Sequence, residues 1–477
     1  MSRILIIGAG VGGLTAAARL ARTGHRVTVF EQSGTVGGKL GRYSRRTPEG
    51  LFRFDTGPSL LTLPQVFEDI DLDPVPLDPI VRHVFPDGTR LDSCADPDEF
   101  ASRVSEALGA GAARDWRRLW RRAGRVWQAS WRHVLTTTVD SPLALYRLAW
   151  RVRDLAAIAP GRSLRGLGRG YLRDPRLRML LDRYATYAGA DPRRAPAALV
   201  AIPYAELAFG GWYLRGGLGT VADALATRCL ELGVDVHTGR TVTRIDTGGR
   251  PGGPVRGVTL AGGHTEPADL VIANADARAV YRDLLPHPRR LAGLGEPSLA
   301  GFVLLLGVRG RTPGLAHHTV FFPEDYDAEF EAVFGGRLAA DPTVFVTVAD
   351  DPAVRPDGYE SWFVLVNAAP QGPVDWRADG VADGYADRIL AVLAGRGLDV
   401  RDRILFREIR TPADLADSTL TPGGSIYGSA AHRLLRPANR GPVPGLYLVG
   451  GSTHPGGGLP MVTLSGRIVA DRIGPAR

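Results

Sequence analysis

At 477 residues and 44% hydrophobic content the chain can bury more than one core, and its two cysteines, Cys94 and Cys229, are too few and too far apart for a disulfide framework or a thiolate metal cluster. No apolar run is long enough to span a bilayer and no leader segment precedes the first strand, so the expected setting is a reducing cytoplasm, with no metal site. The formal charge of +8 is concentrated: residues 101–200 hold twenty arginines against seven acids, a local charge of +13, which leaves −5 on the rest.

In chain order, Ile4 to Ile7 is a short apolar strand opening into Gly8-Ala-Gly10-Val-Gly12-Gly13 and an alanine-rich helix that stops at Gly24. Gly8 serves the tight turn, Gly10 a close backbone approach to a pyrophosphate, and Gly13 the packing of helix on strand, while the helix N-terminus offers free N–H groups to phosphate. Val27 and Val29 alternate along the next strand, and Glu31 follows the glycines by roughly 20 residues, where an acid holds a ribose hydroxyl. A second glycine pair, Gly37-Gly38, sits beside Lys39 and Arg42 and suits a further approach to a diphosphate, as FAD requires and NAD does not. Lys39 is the sole lysine.

A Pro-rich break at 73–79 closes the first segment, and helical, arginine-rich sequence is expected from there to about Glu206. Within it Trp116, Leu119, Trp120, Ala123, Trp127, Trp131 and Val134 share one helical face, with Arg117, Arg118, Arg121, Arg122, Arg125 and Arg132 opposite. Two arrangements fit: an interfacial helix lying on anionic lipid, or a core helix with a solvated basic back. Nucleic acid is not expected as a partner, because no binding module accompanies the charge.

After the glycine-rich 209–219 stretch come a helix over 220–232, strands at 234–236, 241–245 and 255–260 separated by a glycine loop at 248–254, and the run Ala268 to Asp276. Strand candidates at 301–308, 344–348 and 362–366 belong to a second sheet. Near the C-terminus, Gly445 to Gly458 reads as a buried strand entering another glycine loop, followed by a helix over 462–473 aimed at a flavin carbonyl. The signals therefore interleave: a nucleotide-binding domain from 1–75, 207–277 and 423–477, and a substrate and membrane-contact domain from 76–206 and 278–422.

These motifs, with Phe54-Asp-Thr-Gly-Pro-Ser59, Trp212-Tyr213, Arg215-Gly-Gly217, Asn274-Ala-Asp276, His318 to Tyr326, Thr411 to Asp414 and Gly424 to Gly428, resemble the bacterial-type carotenoid (phytoene) desaturases, a family of FAD-dependent, amine-oxidase-like flavoproteins. The resemblance covers nearly the whole chain. It implies an α/β fold in which a glutathione-reductase-like, Rossmann-type FAD domain is interleaved with an α+β substrate domain. It further implies that Gly8, Gly10, Gly12, Gly13 and Glu31 hold the ADP part of FAD, and that Gly38, Lys39 and Arg42 follow the diphosphate. Val242 would meet the adenine through its backbone, while Gly450, Gly451 and Val462 line the flavin end and Asn274 belongs to the same set. Where phytoene desaturases have a Pro-Gly-Val run, this chain has Leu459-Pro-Met-Val462, which is similar to branches acting later in the pathway, including hydroxycarotenoid 3,4-desaturases.

Polyene desaturation needs a hydride acceptor, an apolar channel and a modest base. His454, in the terminal loop, is the candidate base, its other reading being a loop anchor; His317 and His318 read as structural. The implied partners are a long apolar polyene, drawn into a tunnel lined by Phe209, Trp212 and Tyr213, and the surface of an anionic membrane. Oligomeric state is not legible. An amine oxidase, a polyene saturase or isomerase, and a non-catalytic lipid-binding flavoprotein remain as alternatives on the same fold.

Overall fold

A computed structural model describes residues 1–139, 157–250, 252–432 and 436–476; part of the arginine-rich segment, 140–156, and residue 251 of the expected glycine loop lie outside the described residues. The strand Arg3–Ile7 is buried on both faces, Ile4 and Ile6 entering the core shared with helix Val11–Arg22 and Leu5 and Ile7 the core on the opposite side. A continuous apolar run is what a parallel strand covered on both faces requires. Five parallel strands stand in the order Leu446–Leu448, Leu270–Ala273, Arg3–Ile7, Arg26–Phe30 and Asp235–His237, so three distant parts of the chain open their carboxyl ends along one edge.

Small residues set the layer on one face. Helix Val11–Arg22 buries Ala16, Ala17 and Ala18. Helix Leu459–Ile473 packs against it so closely that a methyl group on Gly466 would lie 2.5 Å from the Gly12 carbonyl oxygen. This last helix begins three residues earlier than expected, with Pro460 in its first turn. On the other face an antiparallel sheet, Val242–Asp246, Gly257–Leu260 and Thr265–Pro267, places Val242, Ile245, Val258 and Leu260 against Leu5, Ile7 and Val271.

The second sheet has seven strands, in the order Ile404–Arg410, Ala300–Arg309, Tyr359–Ala368, Val344–Val348, His318–Phe321, Arg82–Val84 and Arg90–Asp92. Its pairings are antiparallel except that of His318–Phe321 with Arg82–Val84. Strand alternation sorts its side chains. Leu304, Leu306, Trp362, Val364 and Val366 pack with helix Val381–Gly395, whereas Val303, Phe345, Phe363 and Leu365 face a large cavity. The sequence following the Pro-rich break is therefore not helical from its start: residues 82–92 supply two strands to this sheet before the first helix of the segment, Pro97–Leu108.

The tryptophan-rich helix, Ala110–Ser130, follows the second of the two arrangements that fitted its pattern, a core helix with a solvated basic back. Trp116 is 2% exposed, edge-on to Phe100 at 5.1 Å; Trp120 stacks near Tyr204 at 4.6 Å; Trp127 meets Trp131 at 5.1 Å and Phe209 at 5.5 Å. Helices Pro97–Leu108 and Ala201–Phe209, supplied from either side in sequence, cover the apolar face, so that Trp116 and Trp127 are core and Trp120 and Trp131 pack partly buried against it. An amphipathic pattern reports an apolar environment without saying whether protein or lipid provides it. Arg114, Arg117, Arg118, Arg121 and Arg125 remain on the exposed side. No helix among the described residues is long and apolar enough to cross a membrane.

Because Trp116 fills core space, Trp116→Ala should lower the unfolding free energy by about 3–5 kcal/mol in urea denaturation, while Arg121→Ala should change it by no more than about 0.5 kcal/mol. Equally small effects at both positions would return this helix to the surface.

Candidate active site at the carboxyl edge of the parallel sheet

Two helix N-termini meet where the parallel strands end. Val11–Arg22 and Leu459–Ile473 both start at glycine, with no side-chain cap and no acid in the first turn. Each end therefore presents unsatisfied N–H groups and a partial positive charge. Between them stands Asn274, at the end of strand Leu270–Ala273, its backbone N–H donated to the Ile7 carbonyl. A methyl group on Gly10 would come within 2.6 Å of Asn274 Nδ2, one on Gly12 within 3.0 Å of its Oδ1, and one on Gly450 within 2.9 Å of the same oxygen. Gly8 and Gly450 also have φ of +97° and +106°, which side-chain-bearing residues rarely adopt. The glycines make a groove of bare backbone, a cradle for a polyanion such as a dinucleotide diphosphate.

Gly8, Gly10, Gly12, Glu31, Gly38, Lys39, Arg42, Val242, Asn274, Gly450, Gly451, His454 and Val462 all line one cavity of about 1230 Å³. Gly13 lies behind this wall, where a Cβ would collide with the Gly8 carbonyl, so it serves helix–strand packing. Glu31 is buried and its carboxylate accepts the N–H groups of Ala9 at 2.7 Å and Ser33 at 2.8 Å, tying the end of its strand to the glycine turn. Arg42 is half-exposed and paired with Asp223, in the first turn of helix Thr220–Glu231.

Lys39 donates to the carbonyls of Ser425 at 2.8 Å and Ile426 at 2.6 Å. Burial, opposed by Asp276 and assisted by Arg436, lowers its pKa to about 8. Arg436 grips the same segment from the other side, donating to the carbonyls of Tyr427 at 2.7 Å and of Ser429. Asp276 lines the cavity, and its Oδ2 is buried with no hydrogen-bond partner among the described residues, an acceptor open to a ligand hydroxyl. Asp276, Arg436 and Tyr427 were not marked as site residues by their sequence signal, since contacts between segments 150 residues apart leave no local pattern.

His454 is 2% exposed and its Nε2 lies 2.9 Å from the Thr137 carbonyl. A carbonyl can only accept, so Nε2 carries the hydrogen. The His454 backbone is held as well: its N–H donates to Pro437, and its carbonyl accepts from Asn439 Nδ2 and Ser465 Oγ. His318, with ring nitrogens 3.3 and 3.2 Å from the Ile80 and Ser59 carbonyls, is fully buried and structural.

Beyond the glycine cradle the cavity continues between the seven-stranded sheet and the helical layer, walled by Val303, Phe345, Phe363 and Leu365 on one side and Trp127, Val134, Leu135, Ile158, Leu199 and Ile202 on the other. Phe209, Trp212 and Tyr213, expected to line it, do not. Strand Trp212–Leu214 pairs with Pro74–Pro76, Trp212 donates its indole N–H to the Phe209 carbonyl, and Tyr213 donates to Asp351 at 2.8 Å, which turns all three away. The same wall holds Arg183, Tyr187 and Glu206, polar groups that sequence reading did not separate from the general arginine excess.

The model of the flavin-containing amine oxidoreductases matches residues 11–474. Among curated proteins, the chain is 34% identical to a 4,4'-diapolycopene oxygenase from Methylomonas sp, over 99% of this chain and 98% of that one. It is also 34% identical to the hydroxyneurosporene desaturase of Cereibacter sphaeroides, over 99% and 97%, and 30% identical to a 1-hydroxycarotenoid 3,4-desaturase from a Flavobacterium, over 99% of each. Among solved structures it is similar in fold to an oxidoreductase from Methanosarcina mazei, with a TM-score of 0.66 at 18% identity and coverage of 98% and 100%. Putrescine oxidase bound to putrescine gives 0.62 at 16%, with coverage of 99% and 98%. A groove of bare backbone between two uncapped helix ends, on a fold shared along almost the whole length, accounts for the flavin of this group: the chain belongs to the flavin-containing amine oxidoreductase family.

Proposed function

We propose that this protein is an FAD-dependent carotenoid-modifying oxidoreductase that introduces C=C bonds into a carotenoid or a carotenoid precursor. The observation that carries the reading is the cavity of about 1230 Å³, whose lining passes from the glycine cradle to the apolar side chains of the seven-stranded sheet and the helical layer. The carotenoid desaturases and oxygenases among the relatives support it. When bound, the flavin supplies a two-electron acceptor for the hydride lost from the polyene. In this reading Gly8, Gly10 and Gly12 receive the diphosphate with the N-terminus of Val11–Arg22, Glu31 and Val242 bound the ADP end, Gly38, Lys39 and Arg42 flank the phosphates, and Asn274, Gly450, Gly451 and Val462 support the isoalloxazine. The corridor's aliphatic and aromatic walls keep water from the reacting carbons and align the chain.

Incubating the flavin-loaded protein with phytoene, lycopene and a 1-hydroxylated carotenoid, followed by absorption and mass spectrometry of the pigments, tests the reading. Loss of two hydrogens per event with a red shift is expected. Gain of oxygen would make the enzyme an oxygenase like its Methylomonas relative, and a product richer in hydrogen would make it a saturase.

We assign His454 the role of a positioning residue, because its Nε2 donates to the Thr137 carbonyl and its backbone is held by Pro437, Asn439 and Ser465. His454→Gln should then retain activity within about tenfold while His454→Ala loses flavin; a general base would lose about 100-fold or more in both variants with flavin content unchanged.

A polyene partitions into lipid, so the exposed arginines of helix Ala110–Ser130, rather than its tryptophans, are the surface we propose for an anionic membrane. Arg117→Glu, Arg121→Glu and Arg125→Glu combined should weaken sedimentation with phosphatidylglycerol vesicles. Undiminished binding would place the contact elsewhere.

A further inference from the structure

The cavity wall contains a cation, one nitrogen of which has no hydrogen-bond partner among the described residues. Arg183, on helix Pro175–Thr186, is 4% exposed and lines the cavity, and its Nη1 is buried with no hydrogen-bond partner among the described residues. The guanidinium lies 4.8 Å from the centre of the Tyr187 ring and 5.5 Å from that of Phe345, contacts that hold its plane and leave Nη1 unsatisfied. Glu206, also buried in the cavity wall, accepts the Tyr184 hydroxyl at 2.7 Å and supplies the opposing charge. Tyr187, Glu206 and Tyr184 offset the burial that would otherwise lower the Arg183 pKa, and it stays protonated. Leaving a buried charged donor without an acceptor is costly. A pure hydrocarbon in the corridor cannot recover that cost.

We propose that Arg183 determines substrate specificity by donating from Nη1 to an oxygen, hydroxyl or carbonyl, carried near one end of the polyene. This rests on the carotenoid reading above and narrows it to oxygen-bearing polyenes. The position also bears on which bond is modified. Arg183 lies over the Tyr187 ring, and Gly189, two residues further on, abuts the Tyr427 ring, which blocks the space beside Gly457 in the terminal glycine loop. The cation thus stands at the flavin end of the corridor. An oxygen held there brings the carbons a few bonds away to the reaction centre, so the enzyme acts near the end of the chain and not at its middle.

The test compares flavin-loaded wild-type protein and Arg183→Met with three probes: lycopene, a 1-hydroxylated lycopene, and a polyene ending in an aldehyde. Turnover is read from pigment spectra, and binding from the perturbation of flavin absorbance. Wild type should favour the hydroxylated or the aldehyde probe over lycopene by about 100-fold or more in kcat/KM, with the same ranking in binding. The preferred probe identifies the oxygen. Arg183→Met should erase that preference, leave lycopene within about threefold, and retain flavin. Equal or reversed preference in wild type overturns the proposal even if the variant does not fold. So does a parallel loss on all probes, and so does loss of flavin, which would assign Arg183 to the cofactor. Preferential binding of an oxygenated probe without turnover would sink the proposed activity and leave the Arg183 assignment standing.

Discussion

The whole arrangement depends on one close approach, that of the Asn274 side chain to the bare backbone of Gly10, Gly12 and Gly450. Gly10 and Gly12 follow one strand of the parallel sheet and Gly450 follows another, and a Cβ on Gly10 or Gly450 would force them apart by pressing on the amide within 3 Å. Their contact brings the starts of helices Val11–Arg22 and Leu459–Ile473 to a common groove, and the Gly466 approach to Gly12 keeps the two helices side by side. Two unsatisfied helix ends are costly beside each other in the absence of an anion. The same geometry favours a diphosphate when one is bound.

Substrate space follows from a second regularity. Along strands Ala300–Arg309 and Tyr359–Ala368 the period of two sends one set of apolar side chains to helix Val381–Gly395 and the other toward the cavity. The helical layer closes that space with Trp127, Leu199 and Ile202, while Trp116 and Trp120 are spent on holding the helices to one another. Among the polar groups of this cavity, Lys39 and Arg436 are held on the carbonyls of 425–429, Glu206 on Tyr184 and Arg183 across Tyr187.

Local periodicity and turn chemistry were enough to read the parallel strand Arg3–Ile7, its glycine turn and helix, Glu31, and the strand Val344–Val348, because each depends on neighbours within a few residues. The cavity wall was less legible. Phe209, Trp212 and Tyr213 carry the aromatic signal of a ligand channel, and pairing of their strand with Pro74–Pro76, nearly 140 residues away, turns them elsewhere. The tryptophan helix shows the same limit, since Tyr204 and Phe209, which cover it, lie some 80 residues downstream. Arg183 could not be distinguished from the other arginines in its segment by composition; what sets it apart is burial and an unmade hydrogen bond, both properties of the folded chain.

The most direct measurement is a crystal structure of the purified protein with its flavin. The expected result is a diphosphate at the N-terminus of Val11–Arg22 and an isoalloxazine against Gly450, Gly451 and the start of Leu459–Ile473, facing the apolar corridor. A flavin held by the N-terminal segment alone, with its ring away from the terminal loop, would contradict it.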